Sequence, residues 1–362
     1  MLSSNTFLDD MLLKGLYIVL VLIVSLLLAM IPILSRKTDS LFRTLVISGI
    51  TLICSAFPGG ADKIIGLIAS WFNLAPYVEP QTDYVQLFIG ILILVIAFIH
   101  RYTIQNKLYI LNMQGSVRHF VTCDKYLKDL NVADHQAREI IIDTGWAQEN
   151  FRSMNKSQWK SLKTQIEDTL TAFCNKDYKK SFTGMAPIPI TIYAGTCYKN
   201  QEITSFLEYN NSTDSYVELR KSKNYPNLTC FTQESTKSDE IVVAISITAQ
   251  ISGSDLAQFN YPIVSITCPN CNDNTITSSL QLQSYVDTIA DQLEALSKQG
   301  IKRIHLLCAI QSSLAFALGQ RFAHMQNRLT EIVSYHYVKS ENPCYVKGIV
   351  VSGVNKGKIY ID

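Results

Sequence analysis

The sequence predicts a multi-pass α-helical membrane region followed by an α/β module of Rossmann-like topology, and three observations predict it. Long uncharged apolar runs lie almost entirely before His100, whereas Arg101 to Asp362 is an ordinary water-soluble mixture. After Ser181, short β-branched runs bounded by turn residues alternate with amphipathic helical stretches, the pattern of β-α-β units. One run, Ile241 to Thr248, is apolar or small at nearly every position, which requires burial on both faces of a parallel or mixed sheet. The composition of the 362 residues, 48% hydrophobic against 17% charged, excludes a disordered or collagen-like chain. A net charge of only +2 gives no general basic field, so duplex DNA is not an expected partner.

Within residues 1–101, Gly15 to Ser35 carries no charge and is rich in Leu, Ile and Val, meeting the ~20 residues that cross a bilayer core as a helix. Pro32 to Lys37 lacks the small-residue site of a cleaved signal peptide. Thr44 to Ala61 and Tyr84 to His100 are the second and third expected spans. Between them, Ile64 to Val78 is short and carries Trp71, Asn73, Pro76 and Tyr77, which suits an interfacial segment better than a crossing. Arg36, Lys37 and Arg43 follow the first run, and Arg101 and Lys107 follow the last. The positive side is the cytoplasmic one, so three spans place the N-terminus outside and the C-terminal module in the cytoplasm; four spans would send the first basic loop to the wrong face. No Asp, Glu, Lys or Arg interrupts the runs, which argues against a pump or secondary transporter. Small residues, among them Ser48, Gly49, Gly90 and Ala97, suit close helix packing.

Residues 102–180 read as a helical connector. Asp134 to Asp143 and Asn155 to Asn175 show mixed three- and four-residue apolar spacing, with Trp146, Phe151 and Trp159 as packing anchors. Residues 181–362 form the α/β sensor part. Ile188 to Ala194 reads as a strand ending at Gly195, and Pro262 to Thr267 as another. Ser279 to Gly300 is an amphipathic helix through Leu282, Tyr285, Ile289, Leu293 and Leu296. A strand over Ile301 to Ile310, a helix over Leu314 to Met325 and a strand over Glu331 to Val338 complete the series. Ligands of such folds bind where the turns open at the carboxyl ends of the strands.

Two such turns are polar. Gln311-Ser312-Ser313 precedes a helix whose free N–H groups favour a phosphate, with hydroxyls and an amide to direct it, although helix capping accounts for Ser312 alone. Thr248-Ala249-Gln250 follows the buried strand, and together the two strand ends suggest one composite pocket. The nine cysteines are odd in number and scattered, as in a reducing compartment. Cys268 and Cys271 have CxxC spacing, but no second pair or close His pair completes a zinc site, and a turn with two thiols is the plainer account. No catalytic residue and no metal ligand is expected. No GxGxxG or P-loop occurs, and His305 and His324 read as structural.

Four motifs in order, Met185 to Gly195, Ile241 to Thr248, Ile304 to Leu307 with Ser313 to Gln320, and Ile332 to Tyr337, resemble the SAVED domain of bacterial cyclic-oligonucleotide anti-phage signalling (CBASS). The resemblance runs from about Gly115 to Asp362. It implies two fused CARF-like halves that bind a cyclic di- or trinucleotide as activating ligand, with no cofactor. It places Thr248 and Gln250 in the pocket from one half and Gln311, Ser312 and Ser313 from the other, Gln311 standing where the family often has proline. Arg220 resembles a basic position that meets phosphate. Transmembrane helices ahead of such a module resemble the family's membrane effectors. The implied function is a non-enzymatic homo-oligomer in the bacterial inner membrane that permeabilises the lipid bilayer and aborts infection. The alternatives are a ring-nuclease-type enzyme on a membrane anchor and a passive tethered sensor.

Overall fold

The structure is a computed structural model, and it describes residues 40–56, 84–105, 107–115, 121–130, 137–175, 178–198, 202–232, 238–325, 330–339 and 342–361. The chain divides into two compact units, Met1–Asn106 and Lys107–Asp362.

In the first unit, α1 (Ser40–Ala56) packs on α2 (Tyr84–Gln105). Gly49 and Gly90 face one another: a Cβ on Gly90 would lie 2.7 Å from Ile53 Cγ1 and 2.9 Å from the Gly49 carbonyl oxygen. The small residues thus bring together two helices of one chain. Phe42, Val46, Ile50 and Ala97 are buried beside them. The Arg101 guanidinium lies over the Phe42 ring at 4.7 Å, which lets a cation end the apolar stretch in favourable contact. Tyr84–Tyr102 is long and apolar enough to cross a membrane, whereas the apolar part of α1, Phe42–Ile53, is shorter. The described residues therefore hold one helix of spanning length where three crossings are expected. The expected span at 15–35, the interfacial segment 64–78 and the end of the second run lie outside the described residues.

The second unit is built on two sheets. Its first half runs β1 (Leu108–Gln114), α3 (Asp124–Asp129), β2 (Ala137–Asp143), α4 (Gly145–Asn150), α5 (Lys156–Cys174), β3 (Lys179–Gly184), α6 (Ile188–Cys197), β4 (Ser205–Asn210) and β5 (Ser215–Glu218). The second half runs β6 (Thr229–Thr232), β7 (Glu240–Ser246), α7 (Gly253–Leu256), β8 (Ile263–Thr267), α8 (Ser279–Lys298), β9 (Arg303–Ala309), α9 (Ser312–Met325), β10 (Glu331–Tyr335), β11 (Lys347–Ser352) and β12 (Ile359–Ile361). The sheet orders are β2-β1-β3-β4-β5 and β12-β11-β10-β9-β7-β8-β6. Without the edge strands β6 and β12, the second order repeats the first strand for strand, parallel until the last, antiparallel strand. The halves are two copies of one Rossmann-like topology.

Strand burial follows from this layering. Ile241, Val243 and Ile245 of β7 enter the large core shared by both sheets, while Val242 and Ala244 face a smaller core on the outer side. β1 does the same, with Leu111 and Met113 inward and Ile110 outward under α3. Between the sheets, α6 and α9 cross at Gly195 and Gly319. A Cβ on Gly195 would lie 2.1 Å from the Phe316 oxygen, and one on Gly319 would lie 2.1 Å from the Ile192 oxygen, so neither position admits a side chain. Each helix packs across the junction: α9 on β3 and β4, α6 on β10 and β11. Phe316 of α9 stacks on Phe182 of β3 with centroids 4.0 Å apart.

Two segments differ from expectation. Ile188 to Ala194 is helix α6, not a strand, with Pro187 at its N-cap and Pro189 in its first turn, where a missing N–H costs nothing. It is buried on every side, so its run of apolar residues has no periodicity to distinguish helix from strand. Asp134 to Asp143 contains strand β2, paired parallel to β1, and the connector contributes β1 and the start of β3 besides its helices. The helix expected over Asn155 to Asn175 is α5, opened by an Asn155/Gln158 capping box with both bonds at 2.9 Å. Its Trp159 donates to the Gly357 oxygen at 2.8 Å.

Candidate functional site

The carboxyl ends of β7 and β9 lie side by side, and the chain after each is held by backbone bonds. Ile247 and Thr248 N–H both donate to the Ala309 oxygen at 2.9 Å. Ser246 Oγ accepts from Ile251 N at 3.0 Å, which closes the turn carrying Thr248 and Gln250. The loop after β8 folds over this end: Cys268 N donates to the Ser246 oxygen, and Thr275 Oγ1 to the Ile247 oxygen. Gln311 fixes the same loop with both ends of its amide, accepting from Ile276 N at 2.5 Å and donating to the Ile276 oxygen at 3.2 Å. Thr248 and Gln311 are thus brought together, but the Gln311 amide is committed to shaping the loop. Gln250 stands exposed at the rim. Cys271 Sγ lies 3.9 Å from Gln250 Oε1 and donates to the Ser246 and Cys268 oxygens at 3.3 Å. Cys268 and Cys271 are free thiols, and burial pushes the Cys271 thiol up.

Ser312 and Ser313 are buried at the start of α9. The acceptor that meets this helix terminus is the chain's own carboxyl: Ser313 N–H donates to Glu208 Oε1 at 2.7 Å, and Glu208 belongs to β4 of the other half. Desolvation where α9 meets β4 outweighs the opposing pull of the Ser313 hydroxyl and N–H and of Gln311 and raises the Glu208 pKa to about 7. The sequence-predicted phosphate site is therefore an internal contact between halves. Motif reading overlooks Glu208, 105 positions from its partner, because nothing local marks it.

Arg220 lies elsewhere, although the same loop reaches it. Its N–H donates to the Thr277 oxygen and its oxygen accepts from Ser279 N, so Thr275 to Ser279 carries Gln311 on one side and Arg220 on the other. Arg220 lines a cavity of about 1060 Å³ bounded by α3, β4, β5, the start of α8 and the second half of α9. Lys125, Lys221 and Arg321 join it on the basic side, with Gln283 and Gln320 as amide groups and Asp129, Glu202 and Glu218 as acids. Tyr126 OH donates to Glu218 Oε2 at 2.8 Å, and burial drives the phenol's pKa up, so it remains a donor. His324 lines the cavity too, whereas His305 is packed away from it, bonded to Tyr335 and Glu240 and stacked on Tyr261. The basic wall draws on elements far apart in the chain, which is why Arg220 alone among its members is legible in sequence. The volume lies at the upper end of the ~300 to 1,000 Å³ common for small-molecule pockets.

Two Rossmann-like halves that share a core and together line a cavity of mixed charge define an α/β class rather than a particular chemistry. The family profile described as SAVED, the SMODS-associated and fused to various effectors sensor domain, matches residues 162–351, and the chain belongs to this family. No curated protein matches the chain. Among solved structures, the Acinetobacter baumannii Cap4 SAVED/CARF-domain containing receptor is similar at a TM-score of 0.47 and 14% identity, over 74% of this chain and 54% of that one. The same receptor with the cyclic trinucleotide 2'3'3'-cAAA gives 0.46 and 15%, over 83% and 60%. The Moraxella osloensis Cap4 receptor gives 0.42 and 16%, over 70% and 52%. The chain thus spans between half and two thirds of the length of these receptors.

Proposed function

We propose that this chain is a non-enzymatic, ligand-gated membrane effector of anti-phage defence, in which the SAVED unit senses a cyclic oligonucleotide. The observation that carries the reading is the basic cavity in a SAVED chain, with walls from both halves. Arg220 and Lys221 meet phosphates from the β5 side, Arg321 from α9, and the amides and carboxylates are placed to read base edges. The Acinetobacter receptor seen with 2'3'3'-cAAA and 3'3'3'-cAAA makes cyclic trinucleotides the first ligands to try. Ligand drives assembly only if it binds the assembled state more tightly than the free one, and a charged ring bridging walls of two halves supplies such a difference. Assembly then gathers the N-terminal helices of several chains in the bacterial inner membrane and permeabilises it, with the sensor unit cytoplasmic.

Full-length protein in dye-loaded liposomes tests this. A cyclic di- or trinucleotide that raises the melting temperature should also release dye, with the ligand recovered intact. Binding with no dye release overturns the effector step, and conversion of the ligand overturns the non-enzymatic one.

A further inference from the structure

Glu208 belongs to the first half and Ser313 to the second, and the bond between them ties together two elements that also build the cavity. β4 lends Ser205 and Phe206 to the cavity wall, and α9 lends Ala317, Gln320, Arg321 and His324. The twin position lacks this device. Gly195 and Gly319 are equivalent by their mutual approach, which sets Pro189 of α6 opposite Ser313 and Leu306 opposite Phe182, and the strand registers Phe182↔Phe206 and Leu306↔Ser334 then set His336 opposite Glu208. A proline has no N–H to offer and a histidine no carboxylate, so only one of the two crossing helices is clasped in this manner.

We propose that Glu208 is a positioning residue for the sensor: its neutral carboxyl clasps the first turn of α9 and fixes the spacing of the two cavity walls, and ionisation loosens both the clasp and ligand binding. The ligand part rests on the reading of the cavity given above. The physical reason is that the junction, in which Glu208 is half-buried, desolvates the carboxylate by more than its neutral donors, the Ser313 hydroxyl and N–H and the Gln311 amide, restore. The charged and titratable groups on the packed elements are engaged elsewhere or distant. On β5, Glu218 holds Tyr126 and Tyr216 donates to Asn112; on β4, Tyr209 donates to Asp214; on β3, Lys180 reaches the Cys174 oxygen and Lys179 is exposed. Arg321 and His324 of α9 lie more than two turns beyond Ser313. The raised pKa of Glu208, about 7, puts the transition in the neutral range.

The test compares the full chain with Glu208→Gln, which keeps an acceptor and removes the charge, and with Ser313→Pro, which removes the donor at a helix position that tolerates proline. Hydrogen exchange of the α9 first turn is read as protection relative to the free amide at pH 6 and pH 8, without ligand. With the carboxyl at its ordinary value in the opened state, wild-type protection should fall about tenfold over this interval, Glu208→Gln should stay flat, and Ser313→Pro, which keeps the desolvated carboxyl and loses donors that favour its ionised form, should fall at least as steeply. Equal protection at the two pH values in wild type overturns the clasp. A second arm measures affinity for 3'3'3'-cAAA and 2'3'3'-cAAA over the same range. The readout is the additional wild-type loss over Glu208→Gln. Binding profiles that coincide overturn the link to the cavity. If neither trinucleotide binds any chain while the exchange contrast is present, the cavity reading fails and the clasp stands.

Discussion

Single side chains in this molecule are governed by what burial does to their charge, and Glu208 and His336 move in opposite directions for that one reason. Burial lowers the His336 pKa from 6.5 to about 4, because the ring packs on Phe151 with centroids 4.5 Å apart and has no carboxylate to stabilise a proton. In the unfolded chain this histidine takes up a proton near pH 6.5, whereas in the folded chain it resists until about 4. Its contribution to stability is therefore present above pH 6.5 and lost as pH falls through 4. Replacing His336 by Phe should flatten this part of the acid limb in urea-unfolding curves between pH 7 and 4.5; an unchanged acid limb would show that another group dominates. Glu208 runs the other way: its neutral form is the compatible one, so its contribution is full below about pH 4.5 and lost as pH rises through about 7.

At the level of elements, the crossing of α6 and α9 is the joint on which the two halves depend. Gly195→Ala places a methyl 2.1 Å from a backbone oxygen, which no rotamer change relieves, and forcing such a contact costs upward of about 1 to 3 kcal/mol. Gly253→Ala meets nothing within 4 Å and should leave the urea midpoint nearly unchanged, so the pair separates close packing from a general glycine effect. A Gly195→Ala chain as stable as wild type would mean that the helices do not touch as described. How much of this was legible in the sequence varied with length and neighbours. α8 declared itself because its apolar stripe runs for five turns, and β7 because a run apolar throughout fits a strand with a core on each face. α6 did not, because ten residues buried all round carry no stripe, and β2 was hidden by spacing that mimics a helix over one or two turns. Of the expected site residues, strand-end positions such as Thr248 and Gln311 were visible as polar stops. Their partners Ala309 and Ile276, and the α9 face that carries Arg321, depend on tertiary placement.

Taken as a whole, the sensor unit is a duplicated topology with one deliberate asymmetry. The repeated strand order and the Gly195/Gly319 crossing give two equivalent halves. The edge strands β6 and β12 belong to the second half alone, and the Glu208 clasp and the cavity each draw on both halves. With a ligand seated in the cavity as proposed, a shift of α9 against β4 is a small motion through which occupancy would reach the rest of the chain. The central claim is that the seat is the cavity bearing Arg220 and Arg321. Its most direct test is the affinity of full-length wild-type, Arg220→Ala and Arg321→Ala chains for the cyclic oligonucleotide that raises the wild-type melting temperature most. Each substitution should weaken binding by about tenfold to a hundredfold, the worth of a charge-assisted hydrogen bond, while leaving the ligand-free melting temperature unchanged. Wild-type affinity in both variants would contradict the account.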